Sequence, residues 1–557
     1  MITYWHISMN KPFGRERPEQ PGLTQTMLEN DPPLIGLNWG MDSNQAQKFH
    51  NKPGKRDWLQ IGDIVLVREA GQPLALCRVK SEVFSADANM KNQFHFDYLR
   101  EVEVLQMVGD KDIKFTDTQK AFRGLTTPSK DNYEVIKKLH EEYISSQNMK
   151  EYITLLESLK ILLEAKHQII LQGPPGTGKT YTAKDVAEKM IFNEVSDDKK
   201  VQAERLRESD QFALVQFHPA YSYEDFVRGI VAKNEGGGIT YETEDKVLLN
   251  IAARALENQR NAAKSPEILS REKWIDQQIQ RFADKIAEEL AESEYIKLNK
   301  SVGIVGVQED AFRYEGQNGW KSSSRFRFED LRKMYEREVT TQREVRHLTN
   351  ISPLARDHAA YTWRIFEQFK KFLSDEGAIY SQPSTVEEKE RPYILLIDEI
   401  NRANLPAVLG ELIYALEYRG DAVDGLYEKD GSKSIVLPEN LYLIGTMNTA
   451  DRSVGHIDYA IRRRFAFVHL KPNPGVVESR GGATDLFGAV KGIFKDHLGS
   501  DFAMDDVQLG HSYFLKTDVS LVTRLEYEIK PILREYVRDG VLQESAREKI
   551  EALSVAS

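Results

Sequence analysis

The chain has 557 residues, which is too long for a single hydrophobic core and predicts two to four domains. Its hydrophobic residues (41%) and charged residues (29%) are typical of a soluble globular protein. The formal charge of −11 argues against a protein that coats nucleic acid with its whole surface, and the single cysteine, Cys77, excludes an internal disulfide and a cysteine-based zinc cluster. We find no signal-like segment and no apolar run of membrane-spanning length, and therefore expect a cytoplasmic protein that contacts no membrane.

The first segment, residues 1–110, predicts a small β-rich domain. Two β-type runs, Gly62–Arg68 and Leu74–Val79, are separated by a turn, and Tyr98–Val104 alternates as a third strand. Cys77 lies in the second run, where we expect it to be a small core residue.

Aromatic residues give this domain its most distinctive pattern. Trp39 precedes the sequence W-x-x-x-G-D that starts at Trp58, and a β-hairpin follows. This order resembles the small barrel domains of the PUA superfamily, in particular its EVE and YTH-like branches. The resemblance implies a pocket that holds a modified or flipped-out base between aromatic walls. The candidate walls are Trp39, Trp58, Tyr98 and Trp5, and the alternative for each is a place in the barrel core.

Residues 111–150 are predicted to be a linker that leads into a helix at Glu134–Leu139, and a second helix is predicted over Tyr152–Ala165.

A glycine-rich turn between a strand and a helix comes next. The run Gln168–Leu171 predicts a buried strand, and the helix starts at Lys179. Between them the chain has the G-x-x-x-x-G-K-[ST] pattern of a phosphate-binding loop. Its residues are Gly173, Pro174, Pro175, Gly176, Thr177, Gly178, Lys179 and Thr180. The backbone N–H groups and Lys179 would bind the phosphates of a nucleoside triphosphate, and the Thr180 hydroxyl would bind Mg²⁺.

Residues 212–390 combine a core strand with a long insertion. The strand Phe212–Phe217 runs into a turn that we expect to present Tyr221 and Tyr223 at the surface. We do not predict a metal site at His218 and Glu224 in this turn, because no third ligand has a matching spacing. Residues 235–390 are predicted to be a mainly helical insertion whose alternating charges indicate solvated helix faces, and which would face a partner or DNA.

Two further strands end in polar residues of the kind that nucleotide hydrolysis needs. Tyr393–Ile397 is followed by Asp398, which would hold Mg²⁺, and by Glu399, which would activate the attacking water. The strand Leu441–Thr446 leads to Asn448, which can hydrogen-bond the γ-phosphate and the water. A run of three arginines before Phe465 is either a basic turn or a source of an arginine that reaches a neighbouring subunit.

The motifs together resemble the McrB family of AAA+ motors. They are GPPGTGKT, LLIDEINRAN, GTMNTADRS, DYAIRRRF and LGHSYFL, and the resemblance covers residues 150–557. It implies a ring-forming, usually hexameric, motor that hydrolyses GTP rather than ATP and that works with a separate McrC-type nuclease subunit. Carried onto this sequence, it assigns the nucleotide and sensing set to Lys179, Thr180, Asp398, Glu399, Asn448, Asp451 and Arg452. Arg463 and Arg464 would be inter-subunit fingers, and Arg402 would sense the neighbour.

The predicted architecture is a multidomain protein in which a PUA-like barrel precedes an α/β AAA+ domain. Residues 1–110 form the base-recognition domain, 111–150 a linker and helix, 151–470 the nucleotide-binding domain, and 471–557 a helical lid that packs over the nucleotide. We identify no nuclease site, so DNA carrying a modified base would be cut by the partner. Two alternatives are a MoxR-type ATPase chaperone, with the N-terminal domain as a protein adaptor, and a scaffold that binds nucleotide without hydrolysing it.

Overall fold

The chain divides into two compact units. A computed structural model describes residues 3–9, 23–37, 49, 59–69, 72–94, 96, 98–108, 124–126, 130–235, 238–293, 295–316, 324–381, 387–451 and 457–555. One unit combines Met1–Leu155 with Pro472–Ser557, and the other is Leu156–Lys471.

The N-terminal part of the first unit is built on a seven-stranded sheet. Its elements are β1 (Tyr4–Ser8), α1 (Leu23–Leu28), β2 (Leu34–Leu37), β3 (Ile64–Glu69), β4 (Gln72–Val79), β5 (Phe84–Ser85), α2 (Ala88–Phe94), β6 (Tyr98–Met107) and β7 (Gly124–Thr126). The strand order is β2-β6-β4-β3-β1-β7, with β5 beside β6, and β1 and β3 are parallel neighbours. The predicted β-rich N-terminal region and its antiparallel β3–β4 pair are confirmed.

Both faces of this sheet are covered. One face packs into a core that includes Trp5, Val65 and Cys77, so the expectation for Cys77 is confirmed. Burial raises the pKa of the Cys77 thiol. On the other face, Leu66 and Leu76 pack with Ile136 and Leu139 of the helix that follows. Alternate residues of each strand therefore have an apolar partner on either side.

That helix, α3 (Lys130–Lys166), corrects the prediction of two separate helices after a linker. It is continuous for 37 residues because the sequence from Lys130 to Lys166 has no glycine or proline to end it. The boundary between the two units falls within this helix.

The second unit contains a parallel sheet, an insertion and two hairpins. In chain order its elements are β8 (Gln168–Gly173), α4 (Lys179–Phe192), α5 (Lys199–Glu208), β9 (Phe212–Gln216), α6 (Tyr223–Phe226), β10 (Arg228–Glu235), β11 (Gly238–Asp245), α7 (Val247–Ala262), α8 (Pro266–Glu292), β12 (Ile296–Lys297), β13 (Val302–Val307), β14 (Ala311–Gly316), β15 (Ser324–Arg327), α9 (Phe328–Glu336), α10 (Gln342–His347), α11 (Pro353–Asp357), α12 (Ala359–Asp375), β16 (Tyr393–Asp398), a helical turn (Ile400–Arg402), α13 (Leu405–Leu409), α14 (Leu412–Glu417), β17 (Ala422–Lys429), β18 (Ser432–Val436), β19 (Leu441–Asn448), α15 (Tyr459–Arg464) and β20 (Ala466–His469).

The five-stranded sheet positions the candidate site. Its order is β20-β8-β19-β16-β9, and every neighbouring pair is parallel. The central strands are nearly all apolar, as expected for strands covered on both faces, and they pack into one core with α7 and α14. Because the strands are parallel, β8, β19 and β16 end side by side at one edge.

The insertion has a hydrophobic core of its own in addition to the solvated helix faces that its charges predict. Strands β12 to β15 form an antiparallel sheet, and its buried side chains pack against α8, α9 and α12. On α8 the buried residues include Ile275, Ile279, Phe282 and Ile286, a spacing that places them on one side of the helix. The charged residues of α8 lie mainly on its other, exposed side.

The C-terminal part of the first unit is helical. Its elements are α16 (Pro474–Ser479), α17 (Thr484–His497), α18 (Met504–Val507), a turn (His511–Phe514), α19 (Leu521–Arg524), a π-helical turn (Leu525–Ile529), α20 (Lys530–Arg538), a turn (Glu544–Ala546) and α21 (Arg547–Glu551). His511 accepts a hydrogen bond from the Asn473 backbone N–H at 3.3 Å, and burial lowers its pKa to about 4. Among the described helices of the whole chain, none is both long and apolar enough to cross a membrane.

Candidate nucleotide-binding site

The phosphate loop connects β8 to α4 with backbone angles that favour glycine. Gly176 and Gly178 have φ values of 80° and 79°, in the left-handed region. A Cβ on Gly173 would lie 2.3 Å from the backbone oxygen of Leu470, so a side chain does not fit there. The Thr177 hydroxyl donates to the Pro174 carbonyl at 3.0 Å and closes the loop. The loop therefore ends at the N-terminus of a 14-residue helix, where backbone N–H groups favour an anion.

Lys179 supplies a buried positive charge at this helix start. Its side chain is 8% exposed, and Nζ donates to the carbonyls of Gly173 and Pro174 at 3.0 and 2.9 Å. Burial lowers the pKa of the ammonium to about 8, while Glu399 and Asp398 act in the opposite direction. The ammonium is hydrogen-bonded to neutral carbonyls, which suits it to bind phosphate oxygens.

The Thr180 hydroxyl and the Asp398 carboxylate form the candidate Mg²⁺ site. Thr180 Oγ1 donates to Asp398 Oδ1 at 2.8 Å, although 218 residues separate them in the chain. Mg²⁺ prefers oxygen ligands and is commonly bound by one or two carboxylates together with substrate phosphates. The pair fits that chemistry. Within the described residues no group of three or more His, Cys, Asp or Glu could hold a metal without such help.

Glu399 follows Asp398 in a conformation that its neighbours maintain. Its φ of 54° is in the left-handed region, which is uncommon for a residue with a side chain. Asn448 Nδ2 donates to Glu399 Oε1 at 2.5 Å, and Arg402 Nε donates to Oε2 at 3.2 Å. Arg402 also lies 3.6 Å from Asp451. The structure thus brings together four of the predicted residues, Glu399, Asn448, Arg402 and Asp451. Arg452 lies outside the described residues.

The three arginines end a short helix, α15, and have different surroundings. Asp458 caps the helix by accepting from the Ile461 N–H at 2.9 Å. Arg464 is 13% exposed, donates to the Ala460 carbonyl at 2.9 Å and pairs with Glu417 at 2.7 Å. Arg463 is exposed, and no hydrogen bond or ion pair joins it to another described residue. Of the two predicted fingers, Arg463 is therefore the one with an accessible side chain.

Comparison with known proteins agrees with this geometry. Residues 332–465 match the family model described as AAA domain (dynein-related subfamily). The chain contains an AAA domain. The matched stretch includes Asp398, Glu399, Asn448 and the α15 arginines, and it begins after the phosphate loop.

Two curated relatives are components of restriction enzymes. The chain is 33% identical over 216 residues to the Type IV methyl-directed restriction enzyme EcoKMcrB subunit of Escherichia coli (strain K12), which covers 33% of this chain and 46% of the relative. It is 34% identical over 92 residues to the Type II restriction enzyme BsuMI component YdiS of Bacillus subtilis (strain 168), covering 14% of this chain and 27% of the relative. The matches thus span less than half of either relative.

A solved structure, that of a putative ATPase from Cytophaga hutchinsonii, overlaps 76% of this chain and 79% of its own at 11% identity. The TM-score of 0.24 is too low to support an argument about fold.

Of the four candidate base-binding residues, one lies in the core of the N-terminal domain, one lies on its sheet and two lie outside the described residues. Trp5 is 1% exposed, and its indole N–H donates to Asp63 at 2.9 Å, so both faces of this ring pack inside the domain. Tyr98 is half-buried at the start of β6. Trp39 and Trp58 lie outside the described residues.

One expectation near the site is wrong. Tyr223 is 6% exposed rather than presented at the surface, because its hydroxyl donates to Glu411 at 2.5 Å and its ring joins the core of the parallel sheet. Tyr221 is half-buried and stacks on Phe217. Glu224 accepts from the Tyr427 hydroxyl at 2.7 Å, which holds the pKa of Glu224 below its usual value.

Sequence reasoning missed two polar residues that the structure places at either end of the sheet. Gln168 Nε2 donates to the carbonyls of Leu416 and Arg464 at 3.0 and 2.8 Å, and so ties α14 and α15 to the start of β8. Thr446 contacts both Asp398 and Glu399. Its position two residues before Asn448, on the same side of β19, is the signal that could have identified it.

Proposed function

We propose that this chain is an AAA+ nucleoside triphosphatase similar to McrB motors. GTP is the favoured substrate, with ATP as the other possibility, and Mg²⁺ is the cofactor. The active form is a ring, of six subunits if it follows the McrB pattern. The N-terminal β-rich domain recognises DNA that carries a modified base, and hydrolysis drives translocation for a separate McrC-type nuclease subunit.

One observation carries the enzymatic part of this proposal. Five residues lie at the same edge of the sheet: Lys179 and Thr180 after β8, Asn448 at the end of β19, Asp398 at the end of β16 and Glu399 directly after it. In parallel α/β sheets, ligands bind at the carboxyl ends of the strands. The loop N–H groups and Lys179 bind the β- and γ-phosphates. Mg²⁺ on Thr180 and Asp398 would neutralise phosphate charge.

Glu399 and Asn448 are suited to act on the attacking water. The Glu399 carboxylate orients the water in line with the γ-phosphate and accepts its proton. Asn448 Nδ2, which donates to Glu399 Oε1 at 2.5 Å, fixes the direction of that carboxylate. Both side chains follow directly from buried strands, so their positions are set by the sheet rather than by a loop.

The role in restriction is supported by the two relatives. Their names describe a subunit of a methyl-directed restriction enzyme and a component of another restriction enzyme. The proposed nuclease is a separate protein, as the resemblance to McrB motors implies. Recognition of the modified base is assigned to the N-terminal domain because that domain resembles EVE and YTH-like domains.

The experiment that tests this function is hydrolysis of GTP and of ATP by the purified chain with four duplex DNAs. These carry methylated cytosine, hydroxymethylated cytosine, methylated adenine or no modification. We expect GTP to be preferred and one modified duplex to stimulate hydrolysis more than the unmodified control. A preference for ATP with no response to any DNA would contradict the proposal and favour a MoxR-type chaperone.

A further inference from the structure

Thr446 lies between the two acidic residues of the candidate site. It is 2% exposed in β19, next to β16 in the sheet. Its hydroxyl donates to Asp398 Oδ1 at 2.5 Å, and the same oxygen accepts the backbone N–H of Glu399 at 3.1 Å. One side chain therefore contacts the candidate Mg²⁺ ligand and the residue that would activate water.

We propose that Thr446 is a positioning residue for the hydrolysis described above, which orients the Asp398 carboxylate for Mg²⁺ and holds Glu399 in its active backbone conformation. The inference rests on the proposed function, since it assigns to Thr446 a task within that reaction.

The contact with Asp398 restrains the rotation of a short carboxylate. Asp398 Oδ1 accepts from two hydroxyls, those of Thr180 and Thr446, at 2.8 and 2.5 Å. The Thr180 oxygen is itself a candidate ligand of the cation. When it serves that purpose, Thr446 still holds the carboxylate from the neighbouring strand. Partners of metal ligands act in this way, and their removal commonly lowers metal affinity or activity by about 10- to 100-fold.

The contact with Glu399 acts on the backbone. A residue with a side chain remains in the left-handed region only when its surroundings hold it there, and Glu399 has a φ of 54°. The Thr446 oxygen accepts the Glu399 N–H, which fixes this peptide relative to β19. Asn448 lies two residues further along the same strand and holds the other end of Glu399, its carboxylate. Backbone and side chain of Glu399 are thus both positioned from β19.

The test is Thr446→Val, which keeps the branched shape of the side chain and removes the hydroxyl. We expect kcat to fall by about 10- to 100-fold and the Mg²⁺ concentration for half-maximal hydrolysis to rise several-fold. Affinity for nucleotide measured without Mg²⁺ should be unchanged, because the loop and Lys179 are intact. Thr446→Ser keeps the hydroxyl and should restore both kcat and the Mg²⁺ dependence to near the wild-type values.

The matched control is Thr362→Val. Thr362 is 0% exposed, and its hydroxyl donates to the Ala355 carbonyl at 3.1 Å in the core of the insertion. This variant loses a buried hydrogen bond as well, and its Mg²⁺ dependence should equal that of the wild type. If Thr446→Val fails to fold, Thr446→Ala removes the same hydroxyl without added bulk. The same changes in kcat and Mg²⁺ dependence are then expected of Thr446→Ala.

The outcomes separate this inference from the proposed function. If the wild type hydrolyses GTP or ATP and Thr446→Val has the same kcat and Mg²⁺ dependence, Thr446 has no positioning role and the proposed function stands. If Thr446→Ser is as impaired as Thr446→Val, the hydroxyl is not the cause and the inference fails. If the wild type hydrolyses neither nucleotide, the proposed function fails, and the inference fails with it.

Discussion

At the scale of single residues, the feature with the clearest energetic consequence is the buried ammonium of Lys179. Its pKa falls from 10.5 to about 8 because burial removes water from the charge. Between these values the unfolded chain binds more protons at this residue than the folded chain does, so this group makes the protein more stable as the pH rises. Below pH 8 the full cost of burying the charge is present. In the proposed function, this buried ammonium is the group that binds the phosphates.

Replacing Lys179 with Met should therefore stabilise the nucleotide-free protein at neutral pH. One pKa unit corresponds to about 1.4 kcal/mol. After allowance for the two lost hydrogen bonds, we expect the free energy of unfolding to rise by about 2 kcal/mol at pH 7. The gain should shrink between pH 8 and pH 10. Thermal unfolding over this pH range measures it, with Lys184→Met on the same helix as the control for removing a lysine. No gain at pH 7, or a gain that grows with pH, would contradict the assignment.

Residues of this site differ in how far the sequence predicts them. Lys179, Thr180, Asp398 and Glu399 could be predicted, because a glycine-rich loop after one strand and paired acids after another have few other uses. Thr446 is harder to predict, since a threonine in an apolar strand resembles an ordinary core residue, and only its spacing of two residues from Asn448 indicates a place in the site. Its partners come from β16, which is 48 residues earlier in the chain.

At the scale of elements, the contacts of helix α15 leave Arg463 exposed and hold Arg464 in place. Arg464 pairs with Glu417 on α14, and its carbonyl accepts from Gln168 at the start of β8. These bonds hold the end of α15 against α14 and the start of β8. Arg463, one residue earlier, is exposed. We infer that Arg464 orients the helix and that Arg463 is the finger.

The two arginines should accordingly give different defects. Arg463→Ala should lower hydrolysis by about 10³-fold or more in the assembled protein, because it removes charge that stabilises the transition state. Arg464→Ala should lower the free energy of unfolding by about 1 kcal/mol, because it breaks a partly exposed ion pair and a backbone hydrogen bond. Hydrolysis as a function of protein concentration and thermal unfolding measure the two effects. The control is Arg462→Ala on the same helix. The assignment is reversed if Arg464→Ala loses turnover without losing stability.

Elements whose pattern is local were predicted better than those formed by distant segments. The β3–β4 pair is visible in the alternation of its own residues. The core of the insertion is assembled from residues between Ile275 and Leu373, whose helices look merely charged when each is considered alone. The polar, charged composition of residues 111–150 predicts a linker and two separate helices, although no glycine or proline ends helix α3 between Lys130 and Lys166.

At the scale of the whole molecule, a segment with its own hydrophobic core separates the two parts of the candidate site in the sequence. The phosphate loop and Asp398 are adjacent in space, and the insertion lies between them in sequence. The hydrophobic core of the parallel sheet includes no described residue between Ala255 and Tyr393, so the insertion adds a second core without interrupting the first. The parallel sheet accommodates this segment because the chain before it and the chain after it meet at Asn258. Asn258 donates to Glu388 and to the Lys389 carbonyl, and accepts from the Arg391 N–H.

The central claim, that Glu399 acts as the base in nucleotide hydrolysis, is tested most directly with the variant Glu399→Gln. Its turnover is measured together with nucleotide binding and assembly. This change keeps the size of the side chain and its contact with Asn448 but removes the base. We expect affinity for GTP to remain near the wild-type value and turnover to fall by at least about 100-fold. Sedimentation should show assemblies that persist with GTP while those of the wild type dissociate. Glu376→Gln, in an exposed pair with Arg281 on the insertion, is the control. Turnover equal to that of the wild type would remove Glu399 from the reaction and contradict the account of this site.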